Sequence, residues 1–308
     1  DNRVSTVYYQ VQDKLNELDG VSVLYSLTTL VNYSDSKAKP SHILAHENDI
    51  FVFDRGTQHI YRYVLNDAGT GIRPFANDGS ILNSGDKPVP DQRAVGELVD
   101  IAWADPGGNL QTGILVTVDG AGLVATFDPA ENKWRAIQVE ARVWSPPNLI
   151  GTFSGNLYAV APQKNQILRF VPTLAGYTQV PTNYFSANVD LTRVVNMAID
   201  ADVWLVRNDG SLTRYRTGSP AAFNMSDNAP ANIVAVFTSL TTNSVYVADG
   251  ANQRLVQFDK NGRFQRQIKP ATQQAKAFNG LVSLYVDELK SKIYLLNGTG
   301  AYMANLPK

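Results

Sequence analysis

With 308 residues, 27 Lys and Arg against 28 Asp and Glu, and a net charge of −1, the chain has no overall field that would attract nucleic acid or an anionic membrane. It contains no cysteine, which excludes disulfides, thiolate nucleophiles and thiolate metal sites together. No run approaches the ~18 apolar residues of a membrane-spanning helix, and the length is enough for a large core within one repeat-built domain.

Residues 1–20 read as a helical extension. Ser5 can cap a helix, Val7, Val11, Leu15 and Leu18 recur at three- and four-residue steps, and Asp19-Gly20 would end it. Such a helix either packs on the rest of the molecule or forms a stalk leading from a membrane anchor. Asp1 stands where Met would open a gene product, so a leader or anchor is expected ahead of it. In residues 21–33, alternation of Val21, Val23, Tyr25, Leu27, Thr29 and Val31 predicts a strand, although Leu24, Leu27 and Val31 would also line a helix face.

From residue 40 onward one pattern returns. The stretch 245–258 (VYVADGANQRLVQF) matches 50–63 (IFVFDRGTQHIYRY), 114–127 (ILVTVDGAGLVATF) and 157–170 (LYAVAPQKNQILRF) without gaps. Residues 203–215 fit with one residue removed, and 293–303 form a shortened sixth copy. Alternation with a period of two makes each copy a strand pair, and a repeat of roughly 40–50 residues in a strand-rich chain signals propeller blades. Upstream of the copies run segments such as 99–103, 195–199 and 282–286, whose small residues suit an innermost strand. The blades then start near 40, 97, 146, 192, 231 and 278, and 21–33, if a strand, could close the last one. The first spacing is longer than the rest, and the polar stretch 76–91 is the expected cause, a loop inserted between blades.

Residues 245–264, with their YVAD-x-x-N-x-R core, resemble an NHL repeat. The resemblance implies an all-β, six-bladed β-propeller over 21–308 with a short N-terminal helical extension over 1–20. It is similar to the extracytoplasmic sensor propellers of bacterial receptor serine/threonine kinases and phosphatases. That likeness implies a non-catalytic module at the cell surface or in the periplasm. It would bind a protein, glycan or small ligand at one propeller face, as a monomer, without cofactor or nucleic acid, and would meet a membrane only through a segment outside this chain.

Chemistry-bearing residues are few. His42, His46 and His59 all fall in the first blade, and His42 and His46, four residues apart on one strand, stand roughly 13 Å apart. They cannot share a zinc, and no metal site is expected. Glu97, Asp100, Asn148, Asn196 and Asn279 lie at or near inner strands and are the candidate channel-mouth residues. They could hold calcium for a lactonase-type hydrolase, the rival reading, or hydrogen-bond neighbouring blades. Because Asp100, Asn196 and Ser283 occupy equivalent repeat positions, a hydrogen-bonded ring is the expectation. Asn77, Asp78, Asn83 and Asp86 are the candidate loop residues for a binding partner. Asp54, Asp249 and the turn 259–262 read as turn-capping groups.

Overall fold

The computed structural model describes residues 2–75, 78–89, 93–225 and 227–307. Among them, six sheets are arranged as six propeller blades. The inner strands are Pro40–His46, Leu98–Ala104, Leu149–Phe153, Val194–Ile199, Ile233–Phe237 and Leu281–Asp287. Each packs against the inner strands before and after it, the sixth against the first, so the ring is closed around an axial channel.

Every blade buries both faces of its sheet, which explains the apolar runs in second strands such as Asp49–Asp54 and Ser244–Asp249. The buried side chains form six clusters, one between each pair of neighbouring blades. The aromatic that ends each repeat is central to them: Tyr63, Phe127, Phe170, Tyr215 and Phe258 are all buried. They pair across the sheet with Ile50, Leu115, Leu157, Val203 and Val245.

One register differs from the expected alignment. Phe127 pairs with Leu115, not Ile114, because the second blade's hairpin turn is a residue tighter, with Gly122 at φ +94° making the left-handed bend. The counterpart of Asp249 is therefore Asp119 rather than Val118. Asp54, Asp119 and Asp249, all buried, then share one task. They accept backbone N–H bonds from Lys39, Gly96 and Ala231, in the segments that lead into the inner strands of their own blades.

The stretch 76–91 is not simply an inserted loop. Its segment Ser80–Asn83 is the outer strand of blade one, paired with His59–Val64, and Leu82 is buried. A strand too short and polar to show alternation hid there.

At the start of the chain, α1 (Asn2–Leu18) leads into β1 (Val21–Leu24) and leaves Val4, Val7, Val11, Leu15 and Leu18 exposed, so its apolar stripe is not packed on the blades. The ambiguous segment 21–33 divides into two strands with different roles. β1 runs parallel to Phe264–Pro270 as a fifth strand of blade five, while β2 (Thr28–Asn32) pairs antiparallel with Gly300–Asn305 and completes blade six. No helix among the described residues is long and apolar enough to cross a membrane.

Candidate functional site: the two mouths of the channel

All six inner strands run in the same direction along the axis, so one mouth is built from their first residues and the other from their last. Five of them carry a β-bulge just after their first residue, and the residues that follow the bulge are His42, Asp100, Asn196, Ala235 and Ser283. A bulge re-aims the next side chain. Here it turns three polar side chains toward the following blade. Asp100 Oδ2 accepts the Ile150 N–H (3.1 Å), Asn196 Oδ1 the Val236 N–H (2.9 Å), and Ser283 Oγ the Ile43 N–H (3.2 Å). Blades two, four and six are thus fastened to blades three, five and one by three separate bonds, so the polar residues encircle the axis without forming the one continuous hydrogen-bonded ring expected.

The first mouth is a 420 Å³ cavity lined by His42, Asp100 and Asn196 together with Lys39 and Arg55. Asp100 is 2% exposed, and its second oxygen lies 2.7 Å from His42 Nδ1. The carboxylate accepts at both oxygens, so Nδ1 of His42 is the donor in this pair. A His–Asp pair of this geometry can orient an imidazole for proton transfer. Arg55 reaches over the mouth to the carbonyl oxygens of Val99 (3.1 Å) and Asn148 (3.4 Å).

Of the other expected mouth residues, Asn148 donates to Val194 O at 3.0 Å while its own Oδ1 is buried without a partner. Glu97 and Asn279 are exposed and line neither end of the channel. A calcium site does not assemble here. Both Asp100 oxygens and the Asn196 oxygen are engaged, Arg55 and Lys39 bring positive charge to the same space, and no group of three or more His, Asp or Glu among the described residues could hold a metal ion. The loop candidates serve their own turn: Asp78 accepts the Ser80 N–H and Asp86 the Asn83 N–H, and Asn83 takes the Ser80 hydroxyl. Asn77 lies outside the described residues.

The second mouth was not visible in the sequence. It opens into a 480 Å³ cavity walled by His46, Trp103, Phe153, Ile199, Phe237 and Tyr285, one half-buried side chain from each inner strand. His46 stacks on Trp103 with ring centroids 3.8 Å apart, and Phe237 meets Tyr285 at 4.7 Å. The expectation of small residues packed along the axis fails here, where five of the six inner strands place a ring at the cavity wall. Three carboxylates, Glu47, Asp105 and Asp287, stand at the rim with Lys290, and Leu240 and Leu289 are exposed beside them. His42, Ile150, Asn196 and Met197 line both cavities, so the polar ring marks where the two meet.

No protein-family profile and no curated protein matches the chain. Among solved structures it is similar to a virginiamycin B lyase from Staphylococcus aureus, at 14% identity and TM-score 0.54, covering 90% of this chain and 98% of that one. A streptogramin B lyase follows at 12% identity and TM-score 0.56, covering 91% and 97%. YCF48 bound to D1 peptide matches at 11% identity and TM-score 0.51, covering 93% and 100%. At these identities the likeness establishes the six-bladed propeller fold and nothing finer. It also corrects the expectation of a non-catalytic module: the fold is one that enzymes use, here lyases, as well as a peptide-bound protein, so the architecture gives no ground for excluding catalysis.

Proposed function

We propose that the chain is a recognition propeller whose ligand, a small molecule or a side chain of a partner protein, enters the aromatic mouth of the channel. The observation that carries this reading is the 480 Å³ cavity, a size suited to a small organic group, with rings around its wall and charged groups only at its rim. The peptide held by the propeller YCF48 supports a binding role for such an architecture. We place the protein outside the cytoplasm, as the ligand-binding part of a bacterial membrane signalling protein. The low net charge and lack of cysteine support this, as does α1, which presents its apolar stripe away from the blades.

Ligand-observed NMR with a set of small organic probes tests the site, run on the wild type and on two variants, Phe237→Asp at the aromatic mouth and Arg55→Glu at the polar mouth. Probes that lose binding in Phe237→Asp and keep it in Arg55→Glu support the reading. Probes that behave the other way round place recognition at the His42–Asp100 end and overturn it.

A further inference from the structure

This inference rests on the aromatic mouth being a binding site and names what it takes. Charge at the rim is unbalanced: of the residues that line it, Glu47, Asp105 and Asp287 face one ammonium, that of Lys290, while Lys260, which bonds to the lining residues Thr238 and Ser239, is matched by Asp200 at 2.6 Å. The Lys290 ammonium is 2.6 Å from the Glu47 carbonyl oxygen and engaged there. The nearby Asp49 is matched by Arg62 at 2.9 Å and adds nothing to the balance. Asp105 accepts the Trp103 indole N–H at 3.0 Å, which fixes the largest ring of the wall against a carboxylate. His46 lies flat against that indole, and burial lowers its pKa, so its ring adds aromatic surface without charge at neutral pH. Aromatic faces attract cations through their quadrupole, and carboxylates set around them deepen the potential.

We infer that the mouth binds a compact alkylated ammonium group, with the cation against the ring wall formed by Phe237, Tyr285 and the His46 ring that Trp103 backs, and its alkyl substituents near Leu240 and Leu289. An anion would meet three carboxylates, and a neutral apolar group would forgo the electrostatic part of the attraction. A guanidinium or primary ammonium could use the carboxylates but would exchange strong hydration for ring faces, which favours the weakly hydrated alkylated form.

Titration calorimetry with choline and with 3,3-dimethylbutan-1-ol, its neutral isostere, separates shape from charge. Choline should bind at least about tenfold more tightly than the alcohol. Phe237→Leu should abolish choline binding, and Phe237→Tyr, which keeps an aromatic face and guards against a folding defect, should weaken it only severalfold. Asp105→Asn should weaken choline and leave the alcohol unchanged. Retention of the protein on phosphatidylcholine vesicles would assign the ammonium to a lipid headgroup, whereas choline binding without retention would assign it to a free solute. Equal affinity for the two isosteres, or no choline binding while other probes still enter the Phe237-dependent site, overturns the inference and leaves the proposed function standing. If nothing binds at Phe237, both fall.

Discussion

Asp100 ties three blades together through one carboxylate, and its removal should be felt in proportion. Asp100→Ala deletes the acceptor of the Ile150 N–H, leaving that amide buried with no partner, since Ile150 is itself 2% exposed. An orphaned buried amide costs about 1–3 kcal/mol, and the lost charge-assisted contact to His42, whose side chain is a quarter exposed, adds a smaller amount. The expected loss is about 2–3 kcal/mol. Asp100→Asn keeps an oxygen for Ile150 and offers an N–H to His42 Nδ1 if the imidazole changes tautomer, so it should lose less than about 1 kcal/mol. Urea titration followed by tryptophan fluorescence reads both. Equal losses in the two variants would refute the reasoning, because they would show that charge, not hydrogen-bond acceptance, is what blade three needs. A loss under about 0.5 kcal/mol for alanine would show that the ring does not hold the blades.

Phe258→Ala should cost about 3–5 kcal/mol in the same titration, since the ring is fully buried among Trp204, Val245 and Val256, and a loss under about 1 kcal/mol would mean the blade register is wrong. Stability should fall in acid. Burial alone would raise the carboxyls of Asp119, Asp202 and Asp249, but Arg93 with backbone amides, Arg216 with Arg214, and Asn252 with Arg254 outweigh it and hold all three below the ordinary carboxylate value. A depressed folded-state value means the contribution is complete above the unfolded value and disappears as pH falls through the folded one. The urea midpoint should therefore drop between about pH 5 and pH 2 and drop less in Asp249→Asn; a flat profile would contradict the assignment. Deleting residues 1–18 should shift stability by less than about 0.5 kcal/mol, whereas deleting 1–33 should cost more than about 4 kcal/mol by removing buried Leu24 and Leu30 with the closing strand, and similar losses from both would refute the closure.

The blades were legible because each copy repeats the same physical demand: alternating side chains, a turn, and an aromatic to fill the gap between sheets. Asp100, Asn196 and Ser283 could be aligned for the same reason, and their common bonding to the next blade follows from that alignment. What stayed hidden depends on where strands end in space. Trp103, Phe153, Phe237 and Tyr285 lie in different blades and in no shared motif, and only ring closure brings them to one mouth. His42 was visible as a histidine, but its partner Asp100 is 58 residues away and one blade on. Ser80–Asn83 escaped because an outer strand half open to solvent needs no apolar pattern.

The pairing of β2 with Gly300–Asn305 has a consequence for synthesis. β2 precedes the inner strands of every blade in the chain and its partner Gly300–Asn305 follows them all, so the circle stays open until that last strand has left the ribosome. Until then two strand edges are unpaired at the same time, and such edges are templates for pairing with other chains. Joining ends so distant in sequence is also slow relative to the local hairpins within each blade. A nascent chain would therefore hold five nearly finished blades and one exposed seam, and the interval before that seam closes is when aggregation competes with folding.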